Sequence, residues 1–290
     1  MILKEFFNRN HIPSKYKIFF PPREVEPFIE CFWETNFETD VARGSFLFTD
    51  QIFPSVGTSI MINLGNEFKM TCFGEKITVA TDLAYSRHHL ITSTHYAGNL
   101  IFGIRMQSNI FLDSAGIDLC KNHSFVTADK VLTQATISKI KKASSFEERC
   151  EIVLNYLSDI VQKQKKFRFI AKNISDSLKF FESAFNEKIS MASIAKELYC
   201  SKKTLQRHFE RYVGGVPKKC FRILRFRRSL EHYCFDPETF SIFLYGYFDH
   251  SHFYREVKEF TGYNLGTLKS ESIPKENGKV TGARGRNLFF

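Results

Sequence analysis

The chain has 290 residues, a formal net charge of +10 and 43% hydrophobic residues. This length is typical of about two domains, and the apolar content is sufficient for a substantial core. No segment approaches the roughly 18 uninterrupted apolar residues of a membrane span, and the charged amino-terminal segment does not resemble a signal peptide. We therefore expect a cytoplasmic protein with no membrane association, and its basic charge favours an acidic partner.

The cysteines and histidines do not predict a metal or cofactor site. The seven cysteines form no C-x-x-C pair, so we expect reduced thiols rather than a disulfide framework or a zinc site. His88, His89 and His95 are close in sequence, but no neighbouring carboxylate or cysteine completes a ligand set. We interpret these histidines as a surface or turn cluster and expect no cofactor.

Short strands dominate the first third of the sequence. Four segments are rich in β-branched and aromatic residues, at 45–49, 59–65, 68–74 and 99–106, and glycine or asparagine separates them. Several short strands with turn residues between them are typical of a sandwich or barrel. We predict a β-rich domain with flanking helices over residues 1–165.

Helical spacing of apolar residues begins near residue 130, as at Phe146, Cys150 and Val153. The basic stretch 162–169 is a candidate linker, residues 172–270 are expected to form an all-α domain, and residues 271–290 read as a disordered basic tail. The fold class predicted for the whole chain is therefore α+β.

The positive charge is concentrated in the helical half. From Lys172 onward there are 21 lysines and arginines against 13 acidic residues, and between Ser201 and Arg228 there are ten basic residues against Glu210 alone. A helix on a membrane surface would need a broad exposed apolar face, whereas the apolar residues here are spaced for packing in a bundle. This distribution favours nucleic acid as the acidic partner.

Two short helices joined by a tight turn are predicted between residues 189 and 213. Ser190 and Ser201 are suitable N-caps, and Gly214 and Gly215 suit a left-handed stop. This pattern predicts a helix-turn-helix. The second helix would present basic and amide side chains on one side: Lys202, Lys203, Gln206, Arg207 and Arg211.

These side chains fit the chemistry of DNA. Arginine can bind guanine and glutamine can bind adenine in the major groove, and lysine more often contacts phosphate. From this helix alone, a solvated face with incidental charge is an equally good interpretation.

A second motif of the same kind lies between residues 245 and 262. Asp249 or Ser251 can cap its helix, and Gly262 can end it. Its exposed start would carry residues suited to DNA contact or capping: His250, Ser251, His252, Tyr254 and Arg255. A long helix starting at Pro217 would join the two motifs.

The segment CSKKTLQRHFERYVGGVPKKCFRILRFRRSL, followed by GYFDHSHFYREVKEFTG, resembles the DNA-binding domain of AraC/XylS-type transcriptional regulators over about residues 172–269. The resemblance implies two helix-turn-helix units on one long helix, with recognition helices that enter successive major grooves. The base-reading positions implied by the family are Lys203, Gln206 and Arg207 in the first unit and His250, Ser251, His252, Tyr254 and Arg255 in the second.

The sequence departs from the family pattern at three places. Ser241-Ile242 replaces a usual Ile-Ala pair, Leu265 replaces a usual proline, and Tyr199 stands at a turn where a small residue is common. The segments EPFIECFWETNF, FPSVGTSIMINLG and IFGIRM resemble the sensor domains of a subset of these regulators. That similarity implies a small effector or dimerisation at the amino-terminal domain.

The expected function is sequence-specific regulation of transcription, with double-stranded DNA as the partner and with a small-molecule effector, RNA polymerase and a second copy of the chain as further candidates. Activation is the expected sign of regulation, although a helix-turn-helix by itself does not show whether transcription rises or falls. The alternatives are a non-specific architectural DNA binder and an enzyme with a cysteine nucleophile tethered to a DNA-binding domain. We expect no enzyme activity, because no catalytic motif is evident.

Overall fold

The computed structural model describes residues 2–4, 16–36, 46–72, 74–111, 117, 125–183, 190–272, 275–276 and 279–280. Within these residues the amino-terminal part is built from strands and the remainder almost entirely from helices. The predicted α+β class is confirmed.

Two sheets form the amino-terminal part. The strands are β1 Ile2–Lys4, β2 Tyr16–Phe19, β3 Ile29–Asn36, β4 Phe46–Ile52, β5 Thr58–Asn63, β6 Phe68–Cys72, β7 Glu75–Val79, β8 Leu83–Ser86, β9 Ile91–Tyr96, β10 Leu100–Met106 and β11 Phe125–Thr127. One sheet has the order β1-β4-β9-β6-β7 and the other β11-β8-β5-β10-β3-β2. The four segments predicted as strands correspond to β4, β5, β6 and β10.

The two sheets pack face to face around a shared apolar layer. Met61 of β5 and Ile101 of β10 belong to one buried cluster with Phe68, Met70 and Ile91 of the opposite sheet. Because alternate residues of a strand point to opposite faces, Ile60 and Ile62 lie on the other side of β5, in the larger core that includes the helices. The six-stranded sheet is therefore the middle layer.

The helices follow in chain order: α1 Gln134–Lys142, α2 Phe146–Lys163, α3 Lys166–Ser183, α4 Met191–Glu197, α5 Lys202–His208, α6 Pro217–Phe235, α7 His250–Thr261 and α8 Leu265–Ser272. Ser145 caps α2 by accepting a hydrogen bond from the Glu148 amide at 3.1 Å. Phe146 then packs edge-on against Phe102 of β10, with ring centroids 6.1 Å apart. The start of α2 thus anchors the helices to the middle sheet. None of the helices described here is long and apolar enough to cross a lipid bilayer.

The candidate linker at residues 162–169 is largely helical. Residues 162–169 contain the end of α2 and the start of α3, with only two residues between the helices. Phe167 is fully buried and packs edge-on against Tyr212, with centroids 6.3 Å apart. Residues 164 and 165 thus form a short connection between two helices, and the role of this stretch as a link between domains stays a prediction.

The predicted basic tail, residues 271–290, lies mostly outside the described residues. Within it, α8 continues to Ser272, and β12 Lys275–Glu276 pairs with β13 Lys279–Val280. The disorder predicted for the tail and the domain boundaries at 165 and 172 stay predictions.

Candidate nucleic-acid interface

The first helix-turn-helix is formed by α4 and α5. Ser190 and Ser193 cap each other reciprocally at the start of α4. The turn closes when the Cys200 amide donates to the Ala195 carbonyl at 2.9 Å. Tyr199 adopts a φ of +51° in this turn, a conformation that costs energy in residues other than glycine, asparagine and aspartate. The sequence departure noted at this position therefore coincides with backbone strain.

Helix α5 and the π-helical turn Phe209–Val213 that follows it place all five predicted contact residues on the protein surface. Ser201 caps the helix by accepting from the Thr204 amide at 3.0 Å. Leu205 and the following Phe209 are fully buried, which fixes the orientation of the helix. The exposed residues are Lys202, Lys203, Gln206, Arg207 and Arg211. The Gln206 amide donates to the Glu210 carboxylate at 2.8 Å, so contact with a base requires this bond to be exchanged.

The long helix α6 connects the two units. Pro217 occupies its first turn, and Ile223, Phe226 and Leu230 are fully buried along one side. Nineteen residues at about 1.5 Å per residue make a rod of roughly 28 Å. Arg222 and Arg225 in the first half of this helix contact Glu256 of the second unit.

The second unit consists of a 3-10 turn at Ile242–Tyr245 and helix α7. Asp249 caps α7 by accepting from the His252 amide at 2.6 Å, and Gly262 ends it with a φ of +76°. His250, Ser251, Tyr254 and Arg255 are exposed.

His252 is oriented differently from the other predicted contacts of the second unit. It is only partly exposed. Its ring packs edge-on against Tyr247 at 5.2 Å, and its Nε2 lies 3.4 Å from the Arg225 guanidinium. His252 therefore contacts Arg225 of α6, whereas the other four predicted contact residues of this unit are exposed.

A buried carboxylate that sequence reasoning missed holds α7 against α6. Glu256 is only 2% exposed, and its carboxylate accepts from Arg222 at 2.9 Å and also from Arg225. The Tyr247 hydroxyl donates to the same carboxylate at 2.8 Å, and burial raises the pKa of Tyr247 so that this proton is retained. Glu256 stands three residues after the buried Phe253, a spacing that indicates the inner face.

Both units are docked on the amino-terminal domain. The Asn109 amide donates to the Tyr212 carbonyl at 2.7 Å, just after α5. Arg227 of α6 donates to the Pro54 carbonyl at 3.2 Å. Tyr263, which follows α7, donates to the Gln51 side chain at 2.7 Å. The β-rich domain thus contacts the first unit, the connecting helix and the end of the second unit.

The interpretation of the histidines as a surface or turn cluster is correct only in part. His88 and His89 lie in the bend between β8 and β9, but His88 is buried at the contact between the domains, and His95 is buried in β9. The His88 Nε2 is 3.8 Å from the Cys220 sulfur, and a Cβ added to Gly215 would lie 2.1 Å from a ring carbon of His88. The described residues contain no group of three metal-binding side chains.

The histidines at this contact are neutral near pH 7. Burial, reinforced by Lys219 and Arg87, lowers the pKa of His88 from 6.5 to about 3. Burial and Lys219 lower the pKa of His89 to about 4, and its Nε2 lies 2.6 Å from the Lys219 ammonium. A neutral His89 ring can accept this hydrogen bond, whereas a protonated ring would repel the lysine.

The nearby carboxylate of Glu30 titrates at a lower pH. It accepts from Arg87 at 2.8 Å and lies 3.7 Å from Arg105. Desolvation opposes its ionisation, but Arg105, Arg87 and Arg227 outweigh that effect and lower its pKa to about 2. Glu30 therefore stays ionised while the histidines titrate.

We expect acid to weaken the contact between the domains. An exposed His88 takes up a proton near pH 6.5 and the docked one near pH 3, so protons favour the undocked or unfolded state between these values. The stability contribution is fully present above about pH 6.5 and is lost as the pH falls towards 3. Urea unfolding between about pH 7.5 and 5 would measure it. The His88→Gln variant should lose less stability over that range, and equal losses in the two proteins would contradict the prediction.

The site and fold define a class: a β-rich domain docked on two helix-turn-helix units that share one long helix. No protein-family model matches the chain, and no curated protein matches it significantly.

The chain is similar in structure to ToxT from Vibrio cholerae O395, with a TM-score of 0.42 and 12% sequence identity, over 89% of this chain and 98% of that one. A 1.65 Å structure of Vibrio cholerae ToxT gives a TM-score of 0.41 and 12% identity, over 92% and 100% of the two chains. The AraC-like transcriptional activator CuxR gives 0.28 and 14%, over 78% and 89%. Because these TM-scores are below 0.5, the function proposed below rests on the residues of this chain.

Proposed function

We propose that this chain is a sequence-specific regulator of transcription that binds double-stranded DNA through two recognition helices. The observation that carries the proposal is the pairing of two capped, outward-facing helices, α5 and α7, that share one long connecting helix. Each buries its apolar side in the protein and exposes a set of side chains suited to the major groove. The function is one of binding, and no catalytic step is proposed.

In the first unit, Arg207 and Gln206 are the proposed base-reading residues. Arginine binds guanine O6 and N7 with two hydrogen bonds, and glutamine binds adenine N6 and N7 in the same way. Lys202, Lys203 and Arg211 flank them on the exposed side and are proposed to bind phosphates, which position the helix without reading sequence.

Two recognition helices on one connecting helix predict a DNA site of two parts. Successive major grooves on one side of B-DNA are one turn apart, about 34–36 Å or 10–10.5 base pairs. We propose that α5 and α7 enter successive major grooves on one side of the duplex. The site then has two half-elements about one turn apart, and a single copy of the chain suffices to bind both.

The amino-terminal domain is proposed to regulate DNA binding in the cytoplasm. RNA polymerase is a candidate partner, and dimerisation is a further candidate role of this domain. An open cleft of about 550 Å³ lies where residues 23–28 meet α2 and α3. Phe28 and Leu157 contribute apolar surface to it, and Lys172 on its wall is paired with Asp176, which also lines the cleft. A small effector with an apolar part is the proposed occupant.

The proposal is tested by selecting binding sites from a random duplex library at physiological salt. The wild-type chain should enrich a motif with two half-elements. The Arg207→Ala, Gln206→Ala double variant should lose or change the half-element read by α5, and Lys142→Ala, which removes an exposed charge from α1, should leave the motif intact. Binding without any enriched motif would favour the architectural alternative, and absence of binding would reject DNA as the partner.

The Arg207→Ala variant alone should weaken binding to the selected site by about 1–3 kcal/mol and relax preference at one base pair. Lys203→Ala should instead weaken binding to all sequences alike and reduce the slope of log K against log salt by about one. Fluorescence anisotropy titrations at several salt concentrations distinguish the two effects. Uniform loss in Arg207→Ala would assign Arg207 to phosphate contact.

A further inference from the structure

A large apolar side chain is exposed at the start of the second recognition helix. Phe248 immediately precedes the N-cap Asp249 and is 87% exposed. Burial of a phenylalanine side chain is favourable, so a phenylalanine exposed to water beside other apolar groups indicates a surface that binds a partner. Tyr254, on the first turns of the same helix, is 50% exposed, and its ring lies 5.9 Å from that of His250.

The chemistry of this surface differs from that of the first unit. Helix α5 exposes lysine, arginine and glutamine, whereas the start of α7 exposes Phe248, His250 and Tyr254 with Arg255 beside them. The Nε2 of His252 lies near Arg225, and its ring packs against Tyr247. The second unit therefore combines one side chain suited to a bidentate bond with guanine, Arg255, with three that suit apolar or stacking contact.

Thymine offers an apolar target in the major groove. Its C5 methyl group projects into the groove, and contact with apolar side chains such as phenylalanine distinguishes it from other bases. In helix-turn-helix proteins the amino-terminal end of the recognition helix contacts the base edges, and Phe248 lies at that end. We propose that Phe248 is a specificity residue that binds thymine methyl groups in the half-element read by α7, an inference that rests on the proposed function.

The surroundings of the aromatic surface favour DNA over a protein as its occupant. The surface is continuous with the proposed interface, since Ser251 and Arg255 lie on the same exposed turns. Arg255 and Lys258 add positive charge on α7, and the chain as a whole carries +10. Positive charge on the same helix suits the phosphates that flank a thymine.

The experiment removes the methyl group without changing base pairing. In the selected duplex, the thymines of the α7 half-element are replaced by uracil one at a time. The affinity of the wild-type chain for each duplex is measured by fluorescence anisotropy. Loss of one buried methyl group should weaken binding about fourfold, as expected from roughly 0.8 kcal/mol per buried carbon. The Phe248→Ala variant should bind the thymine duplex about as weakly as wild type binds the uracil duplex, and should no longer distinguish them.

Phe243→Ala is the matched control. Phe243 is also exposed but lies in the 3-10 turn, before Gly246, so this variant should keep the wild-type preference for thymine. Because Phe243 and Phe248 are both exposed, both variants should unfold at the same urea concentration as the wild type. A loss of DNA affinity would then not be caused by misfolding.

Each outcome has a distinct meaning. Preference for thymine that persists unchanged in Phe248→Ala, or a wild-type chain that binds both duplexes equally, would overturn the inference while leaving DNA binding intact. In that case a protein partner becomes the candidate occupant of the aromatic surface. If the wild-type chain selects no duplex at all, the proposed function fails together with the inference.

Discussion

Replacing Glu256 with alanine is expected to lower the free energy of unfolding of the second unit by about 3–5 kcal/mol, the cost of removing one partner from a buried ion pair. The variant leaves the mostly buried Arg225 guanidinium without its carboxylate and the Tyr247 hydroxyl without its acceptor. Because this carboxylate joins α7 to α6, the loss should appear in DNA binding as well as in stability.

The measurement is urea unfolding monitored by circular dichroism, combined with site selection. Glu259→Ala is the matched control, since Glu259 also contacts Arg222, at 2.7 Å, but is 53% exposed. Exposed ion pairs contribute only about 0–1 kcal/mol. We expect Glu256→Ala to retain the α5 half-element in selection and to lose the α7 half-element. Similar small losses in the two variants would show that α7 is held by apolar packing alone.

Replacing Gly215 with alanine should destabilise the contact between the domains by about 1–3 kcal/mol, the usual cost of overfilling a packed site. The added methyl group would lie 2.1 Å and 2.2 Å from two atoms of the buried His88 ring. An imidazole enclosed on its other sides has little room to move, so the first unit must shift away from the β-rich domain. Urea unfolding of the variant beside the wild type would measure the loss.

Two further variants separate this clash from other effects of a glycine substitution. Gly266→Ala places a methyl group in open space on α8 and should be neutral or stabilising, by up to about 1 kcal/mol. The His88→Ala, Gly215→Ala double variant should regain part of the stability lost by Gly215→Ala, because the two residues are in contact and their effects are not additive. Additive losses would refute the clash as the cause.

The helix-turn-helix units could be predicted because their signals are local. Ser190 and Ser201 are N-caps as predicted, and Gly214 and Gly262 have positive φ values as predicted. A cap or a stop depends on bonds within one helical turn, so composition and spacing suffice. The same is true of the predicted strands, whose residue types fit a pleated, half-buried surface.

The contacts between the domains could not be predicted, because they join residues far apart in the sequence. His89 and Lys219 are separated by 130 positions, and no local pattern indicates that they meet. The charge of a residue also gives a wrong prediction of its burial at single positions. Glu256 would be expected in solvent, but it lies on the buried side of α7. Phe248 has the opposite character, since a phenylalanine between Tyr247 and Asp249 resembles a core residue.

Because α5 and α7 expose different side chains, the two half-elements of the proposed DNA site differ and the site has a direction. A symmetric dimer reads a palindrome and binds equally well in both directions, whereas one chain with α5 and α7 fixed on a single rod reads two different half-elements in a set order. Inverting such a site leaves affinity unchanged but reverses which end of the protein is nearer to a promoter. The orientation of the site within a promoter region, and not only its presence, would then determine whether the bound protein can contact RNA polymerase.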